Sequence, residues 1–212
     1  MVVSSIKAII FDLGNVLIDF DHRVAARRIG RFTDKKAEEI YSLFFNSALT
    51  NDFEAGRINP QEFFSRVKEI LGATITYEQF VPIWNEIFFL TQKNLAVYRR
   101  ALALKGGYRM AVVSNINTLH YAYVKQHFPV FDAFDCVIAS CEVKSTKPDP
   151  AIYRATLQAL GVRAEETFYT DDRSELIEGA SRLGIRAYCF TGVEQLEADL
   201  AHEGIRVNAY AK

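Results

Sequence analysis

The chain predicts an α/β fold, a doubly wound parallel sheet carrying an inserted α-helical subdomain. Three features of its 212 residues lead there. Short apolar runs recur along the chain, and helical periodicities separate them from about residue 105 onward; residues 20–90 break that rhythm with amphipathic helices and no convincing strand. Continuous rather than alternating hydrophobicity marks strands buried on both faces, and a repeated strand-then-helix order feeds a parallel sheet.

Residues 6–13 form the first apolar run, IKAIIFDL, followed by runs at 109–114, 136–140, 167–169 and 187–190. Helical patterns at 118–126, 151–160 and 175–183 lie between the later ones. Within 20–90, Asn59, Pro60 and Glu62 supply an N-cap, a first-turn proline and a capping-box acid ahead of the apolar positions Phe63, Val67, Ile70 and Leu71. Thr76 with Gln79 repeats the signal before Phe80, Ile83, Trp84, Ile87 and Phe88. A further helix at 94–104 ends before Gly106 and Gly107, which lead into the second strand. The expected division is a core of residues 1–19 and 91–212, interrupted by helices at 20–90.

Half of the residues are hydrophobic, 24% are charged and the formal net charge is -1. That balance suits a folded soluble protein and offers no basic footprint for nucleic acid. No apolar stretch reaches membrane-spanning length, and the apolar N-terminal run meets Asp12 without a cationic leader or cleavage site, so cytoplasm is the expected compartment. Cys136, Cys141 and Cys189 show no CxxC spacing and read as reduced, structural thiols.

In an open parallel sheet, ligands bind beyond the carboxyl ends of the strands. Here those ends carry reactive side chains: FDLGNV around Asp12, Gly14 and Asn15, VSN at Ser114 and Asn115, and YTDD at Asp171 and Asp172. Lys147 stands in KPDP after the third run. One such acid could simply cap a helix, as Asp149 before Pro150 is expected to do, and Ser114 could do the same. Several strand ends delivering carboxylates, a hydroxyl and a nearby lysine point to one pocket instead.

The segments FDLGNVLID, VVSN, KPDP and FYTDD, in that order, resemble the four motifs of the haloacid dehalogenase superfamily, and residues 20–90 sit where that superfamily inserts its helical cap. The FDLGNV form resembles its sugar-phosphate phosphatase branch. The resemblance implies a Rossmann-like core and hydrolysis of a small phosphomonoester through an aspartyl-phosphate on Asp12. It also implies Mg²⁺ held by Asp12, Asp172 and the Gly14 carbonyl, and phosphate bound by Ser114, Asn115 and Lys147, with Asp171 in support. A carboxylate attacks an anionic phosphate only when cations offset their repulsion, and Mg²⁺ prefers oxygen ligands.

Two positions depart from the pattern. Relatives usually carry an aspartate, the general acid and base, where this chain has Gly14; Asp19 and Asp21 are candidates for a substitute acid, and their commoner role would be to bind backbone amides at the entry to the cap. Leu176 stands where an outer-shell Asp or Asn is usual. Alternatives are a haloacid dehalogenase, which also lacks the second aspartate, and a protein that binds phosphate esters without turnover. The cap aromatics Tyr41, Phe44, Phe45, Phe53, Phe63, Phe64, Tyr77, Phe80, Trp84, Phe88 and Phe89 read chiefly as its own core. Arg23, Arg27, Arg28 and Arg57 are candidates to meet a second anionic group, and His22, His120, His127 and His202 read as structural.

Overall fold

A computed structural model describes residues 5–44 and 47–206. Among them, β1 (Ala8–Phe11) is followed by a two-residue strand β2 (Asp19–Phe20) and the helices α1 (His22–Ile29), α2 (Ala37–Phe44), α3 (Ala48–Glu54), α4 (Pro60–Leu71) and α5 (Tyr77–Asn85). A second two-residue strand, β3 (Phe88–Phe89), and α6 (Gln92–Leu104) return the chain to the sheet. Thereafter β4 (Arg109–Ser114), α7 (Thr118–His127), β5 (Cys136–Ala139), α8 (Ser140–Val143), α9 (Pro150–Leu160), β6 (Thr167–Asp171), α10 (Ser174–Ser181), β7 (Arg186–Cys189) and α11 (Val193–His202) alternate.

The sheet runs β5-β4-β1-β6-β7, and every neighbouring pair is parallel. The order reverses about β1, so the chain leaving Phe11 emerges at the switch point between β4 and β6, where such sheets open a crevice. One apolar layer contains Ile9, Phe11, Val112 and Phe168, and the other contains Ile10, Ala111, Val113 and Tyr169, so alternate residues of each strand feed opposite faces. This is the buried, two-sided sheet that the unalternating apolar runs predict.

The helices between β2 and β3 bury their own cluster, built on Phe44, Phe53, Phe63, Phe80 and Trp84. Phe53 stacks on Phe63 with centroids 4.3 Å apart, and Trp84 meets Phe44 edge-on at 4.9 Å. Phe45 lies outside the described residues. Asn59 accepts from the Glu62 amide at 2.9 Å, but the Glu62 side chain turns to Arg66 one turn later instead of closing the box. Thr76 and Gln79 do form a reciprocal box.

Beyond shifts of a residue or two at element ends, two features differ from the sequence reading. Strand β6 extends through Thr170 and Asp171, and β2 pairs antiparallel with β3 at the two junctions of the helical insertion. A two-residue strand is too short to carry a period, whereas Asp171 is polar yet fully buried because its carboxylate is partnered, as described below.

Candidate active site

Main-chain pairing fixes Asp12 directly after β1: its amide donates to the Thr170 carbonyl at 2.9 Å, continuing the β1–β6 ladder by one residue. Asp12 as a whole is 7% exposed. Lys147 Nζ donates to Asp12 Oδ1 and to Asp171 Oδ2, both at 2.6 Å, and to the Val113 carbonyl at 3.2 Å. Three other segments of the chain thus converge on one ammonium group.

Position 147 is held by an amide clasp. Asn115 Oδ1 accepts from the Lys147 amide at 2.7 Å while Asn115 Nδ2 donates to the Lys147 carbonyl at 3.0 Å. The side chain of Asn115, which also lines the cavity described below, therefore aligns the lysine loop. Asp149 Oδ1 caps α9 at the Ala151 amide, 2.8 Å away. The same loop rests on Gly179 of α10, where a Cβ would come within 2.7 Å of Pro148 Cβ.

Asp171 is committed at both oxygens. Oδ2 accepts from Lys147 and from the Tyr169 hydroxyl, two residues earlier on the same strand face, and Oδ1 accepts from the Arg173 amide at 3.0 Å. Asp172 is tied to the first motif through Asn15 Nδ2, which donates to its Oδ2 at 2.9 Å. Asn15 itself adopts φ 57°, a left-handed turn that Asn tolerates better than most residues. One carboxylate oxygen from each of Asp12, Asp171 and Asp172 falls within 4.8 Å of the others.

Burial pushes Asp12 up to about 7, Asp171 adds to the rise, and Lys147 opposes it. Burial also raises Asp172. Lys147 is also held above its usual value: burial works against its charge, but Asp12 and Asp171 more than offset that. The site is short of positive charge for so many acids in a dry setting, and an all-oxygen donor set of this kind suits a hard divalent cation.

A cavity of about 380 Å³ opens over these groups. Asp12, Gly14, Ser114, Lys147 and Asp172 line it, together with Phe44, Thr50, Asn51 and Glu54 from the inserted helices. Ser114 ends β4 and does not cap α7, whose cap is Asn117. Leu176 lines the cavity as an apolar side chain, and its carbonyl accepts from the Tyr153 hydroxyl at 2.8 Å.

Neither candidate substitute acid reaches this cavity. Asp19 binds Lys93 Nζ at 2.8 Å and Asn94 Nδ2 at 3.0 Å, and Asp21 caps α1 at the Arg23 amide. The four candidate arginines follow the commoner pattern for arginines on helices, paired or at the surface: Arg28 pairs with Glu86, Arg57 with Asp52, Arg27 lies 3.9 Å from Asp21, and Arg23 covers the Tyr41 ring. The arginine that does line the cavity is Arg173, whose Nε donates to Glu175 at 2.8 Å.

Sequence reasoning missed Glu54, His22 and His120 as cavity residues. Burial lowers His22 to about 4 and His120 to about 3. Burial raises Glu54 to about 7, with Arg173 and Lys147 opposing. No local motif marks them, since an acid at a helix end before glycine reads as an ordinary helix terminus.

The sequence family described as haloacid dehalogenase-like hydrolase matches residues 6–184. The chain belongs to that family. Its relatives include a D-ribitol-5-phosphate phosphatase of Bacteroides thetaiotaomicron, 24% identical over 86% of this chain and 91% of that protein. A phosphatase of Mycobacterium tuberculosis is 30% identical over 87% of each chain. Among solved structures, a haloacid dehalogenase family enzyme of Bacteroides thetaiotaomicron in complex with magnesium and inorganic phosphate superposes with a TM-score of 0.76. It is 29% identical, over 87% of this chain and 94% of that one. Family membership makes the chain a hydrolase.

Proposed function

We propose that the chain is a Mg²⁺-dependent phosphomonoester hydrolase acting on a small phosphorylated metabolite, a sugar phosphate by preference, through an aspartyl-phosphate on Asp12. The observation that carries this reading is the Lys147 ammonium bridging Asp12 and Asp171 at 2.6 Å, with Asp172 beside them. A dehalogenase has no use for the additional carboxylates, whereas a phosphatase needs cation binding next to its nucleophile. The names of the relatives, including one that acts on a pentitol phosphate, support the substrate class.

In this reading, residues 1–19 and 91–212 form the catalytic core and 20–90 the cap. Asp12 Oδ2, outside the lysine bond, is the attacking oxygen, and the phosphate lies between it, the Ser114 hydroxyl and Lys147. Asn115 contributes its main-chain amide to the phosphate and its side chain to the Lys147 loop. Asp12, Asp172 and the Gly14 carbonyl would hold Mg²⁺, which supplies positive charge against the anionic phosphate. Asp171 keeps Lys147 aimed at Asp12, because removing it would leave the ammonium with one carboxylate partner. The cap excludes water from the phosphate and lines the cavity toward the rest of the substrate.

The experiment is a panel of sugar phosphates, nucleotides and p-nitrophenyl phosphate assayed for phosphate release with Mg²⁺ and with EDTA. Release that requires Mg²⁺ and vanishes in Asp12→Asn is expected. Chloride release from 2-chloropropionate without Mg²⁺ would replace this reading with the dehalogenase one.

A further inference from the structure

We propose that Glu54, carried by the helical insertion, is the catalytic acid that protonates the leaving oxygen of the substrate and then serves as the base that activates water. This inference rests on the phosphatase reading above and deepens it, because that reading leaves the leaving group without a proton donor. A sugar alkoxide is a poor leaving group, and general acid assistance is typically worth about 10²- to 10⁴-fold.

The first motif cannot supply that donor. Position 14 has no side chain, and a Cβ there would lie 2.7 Å from Phe20 Cε1, so the Phe20 ring fills the space where one would project. The other ionisable groups lining the cavity are committed. Asp12 is the nucleophile, Asp172 is held by Asn15, and Glu175 is paired with Arg173, which with its own amide bond holds it below the ordinary carboxylate value. His120 uses both ring nitrogens: Nε2 lies 2.9 Å from the Trp84 carbonyl, to which it donates, and Nδ1 lies 3.0 Å from Asn117 Nδ2, from which it accepts. Burial keeps His22 unprotonated near neutrality.

Glu54 differs from all of these. Its carboxylate takes part in no side-chain hydrogen bond or ion pair among the described residues, yet it lines the same cavity as Asp12 and Lys147. Its main chain is clamped to the core at Glu54 itself and again two residues later. Ser140 Oγ donates to the Glu54 carbonyl at 2.6 Å, and Lys144 Nζ donates to the Gly56 carbonyl at 2.8 Å. Gly56, at φ 60°, fits so closely that a Cβ would come within 2.3 Å of the Cys141 carbonyl oxygen. Ser140 Oγ also accepts from the Ile116 amide at 2.9 Å, so one hydroxyl ties Glu54 to the loop that follows Ser114 and Asn115. A residue belonging to the insertion is thereby held in register with the phosphate loop. Its pKa near 7 leaves it protonated in a substantial fraction of molecules at neutral pH.

The steps balance. As an Asp12 oxygen bonds to phosphorus, the bond from phosphorus to the leaving oxygen breaks, and the Glu54 proton passes to that oxygen, releasing the alcohol and leaving Glu54 ionised. Water then attacks phosphorus while Glu54 takes its proton. Phosphate departs, and Asp12 is again a carboxylate and Glu54 a carboxylic acid.

The test compares phenyl phosphate, a poor leaving group, with p-nitrophenyl phosphate, a good one, in the wild type, Glu54→Gln and Asp12→Asn. In Glu54→Gln, kcat/KM for phenyl phosphate is expected to fall about 10²- to 10⁴-fold and that for p-nitrophenyl phosphate less than tenfold. A stoichiometric p-nitrophenol burst should precede a slow steady state, because the acyl phosphate then lacks its base. Equal losses on both substrates, or none, would overturn the role of Glu54. So would a wild type whose rate already depends steeply on the leaving group, a measurement that needs no variant. Persistent activity in Asp12→Asn would instead sink the underlying phosphatase reading, so the two failures are separable.

Discussion

The Phe20 ring stands where a side chain at position 14 would project, 2.7 Å from the Cβ that any residue larger than glycine would place there. Phe20 belongs to β2 and contacts Phe88 of β3, so the ribbon at the base of the insertion is matched to a glycine in the first motif. Gly14→Asp alone is therefore expected to overpack the site, lowering stability by about 1–3 kcal/mol. Gly14→Asp with Phe20→Ala should recover part of that loss. Urea unfolding of both variants measures it.

Lys147 is buried between two carboxylates. Lys147→Met should remove turnover and also lower stability by about 3–5 kcal/mol, because it leaves buried acids without their cation. A midpoint shift in urea at constant slope would report that cost. The loss should be smaller in Lys147→Met combined with Asp171→Asn, since one of the stranded charges is then gone.

Glu166 joins Lys7 to Arg163 at the start of β6, at 2.7 Å and 2.9 Å. Hydrogen bonds from Arg163 and Lys7 pull its pKa down to about 2, below its ordinary value of 4.5. Because the folded value is the lower one, the stabilisation is complete above pH 4.5 and disappears as pH falls toward 2. The Tm difference between wild type and Glu166→Gln should be largest near neutrality and shrink through that window. A difference independent of pH would contradict it.

His120 is buried against Trp84 and held neutral, with its pKa lowered to about 3 mainly by burial. The unfolded chain binds a proton at this residue from 6.5 downward and the folded one does not, so the neutral ring favours folding above pH 6.5 and that contribution is lost as pH falls toward 3. Its ring resonances should stay unshifted on titration from about pH 8 to about pH 5. A midpoint near the ordinary histidine value would contradict the burial seen here.

Much of this site was legible because strand ends carry their chemistry in sequence. Asp12, Ser114, Asp171 and Asp172 each follow or end an apolar run, and a parallel sheet brings such ends together. Lys147 sits in a loop, and its place followed from its position after the third apolar run together with its resemblance to a known motif. What the sequence did not show for Asn115 is that its side-chain amide pairs with the Lys147 backbone, a pairing 32 residues apart that no local pattern encodes. Glu54 was invisible for a similar reason. Its position depends on Ser140 and Lys144 gripping main-chain carbonyls 86 and 88 residues away, and side chains that bind main chain leave no trace in the partner's residue type. Asp19 and Asp21 looked suitable by proximity to Asp12, but Lys93, Asn94 and the first turn of α1 take them up.

The central claim is that Asp12 becomes phosphorylated during turnover. Rapid acid quench of the wild-type protein with its best substrate from the panel, followed by peptide mass mapping, tests it directly. One phosphoryl group on the peptide containing Asp12, absent in Asp12→Asn, is the expected result. Full turnover with no phosphorylated protein at any quench time, or a phosphoryl group on another residue, would contradict the account.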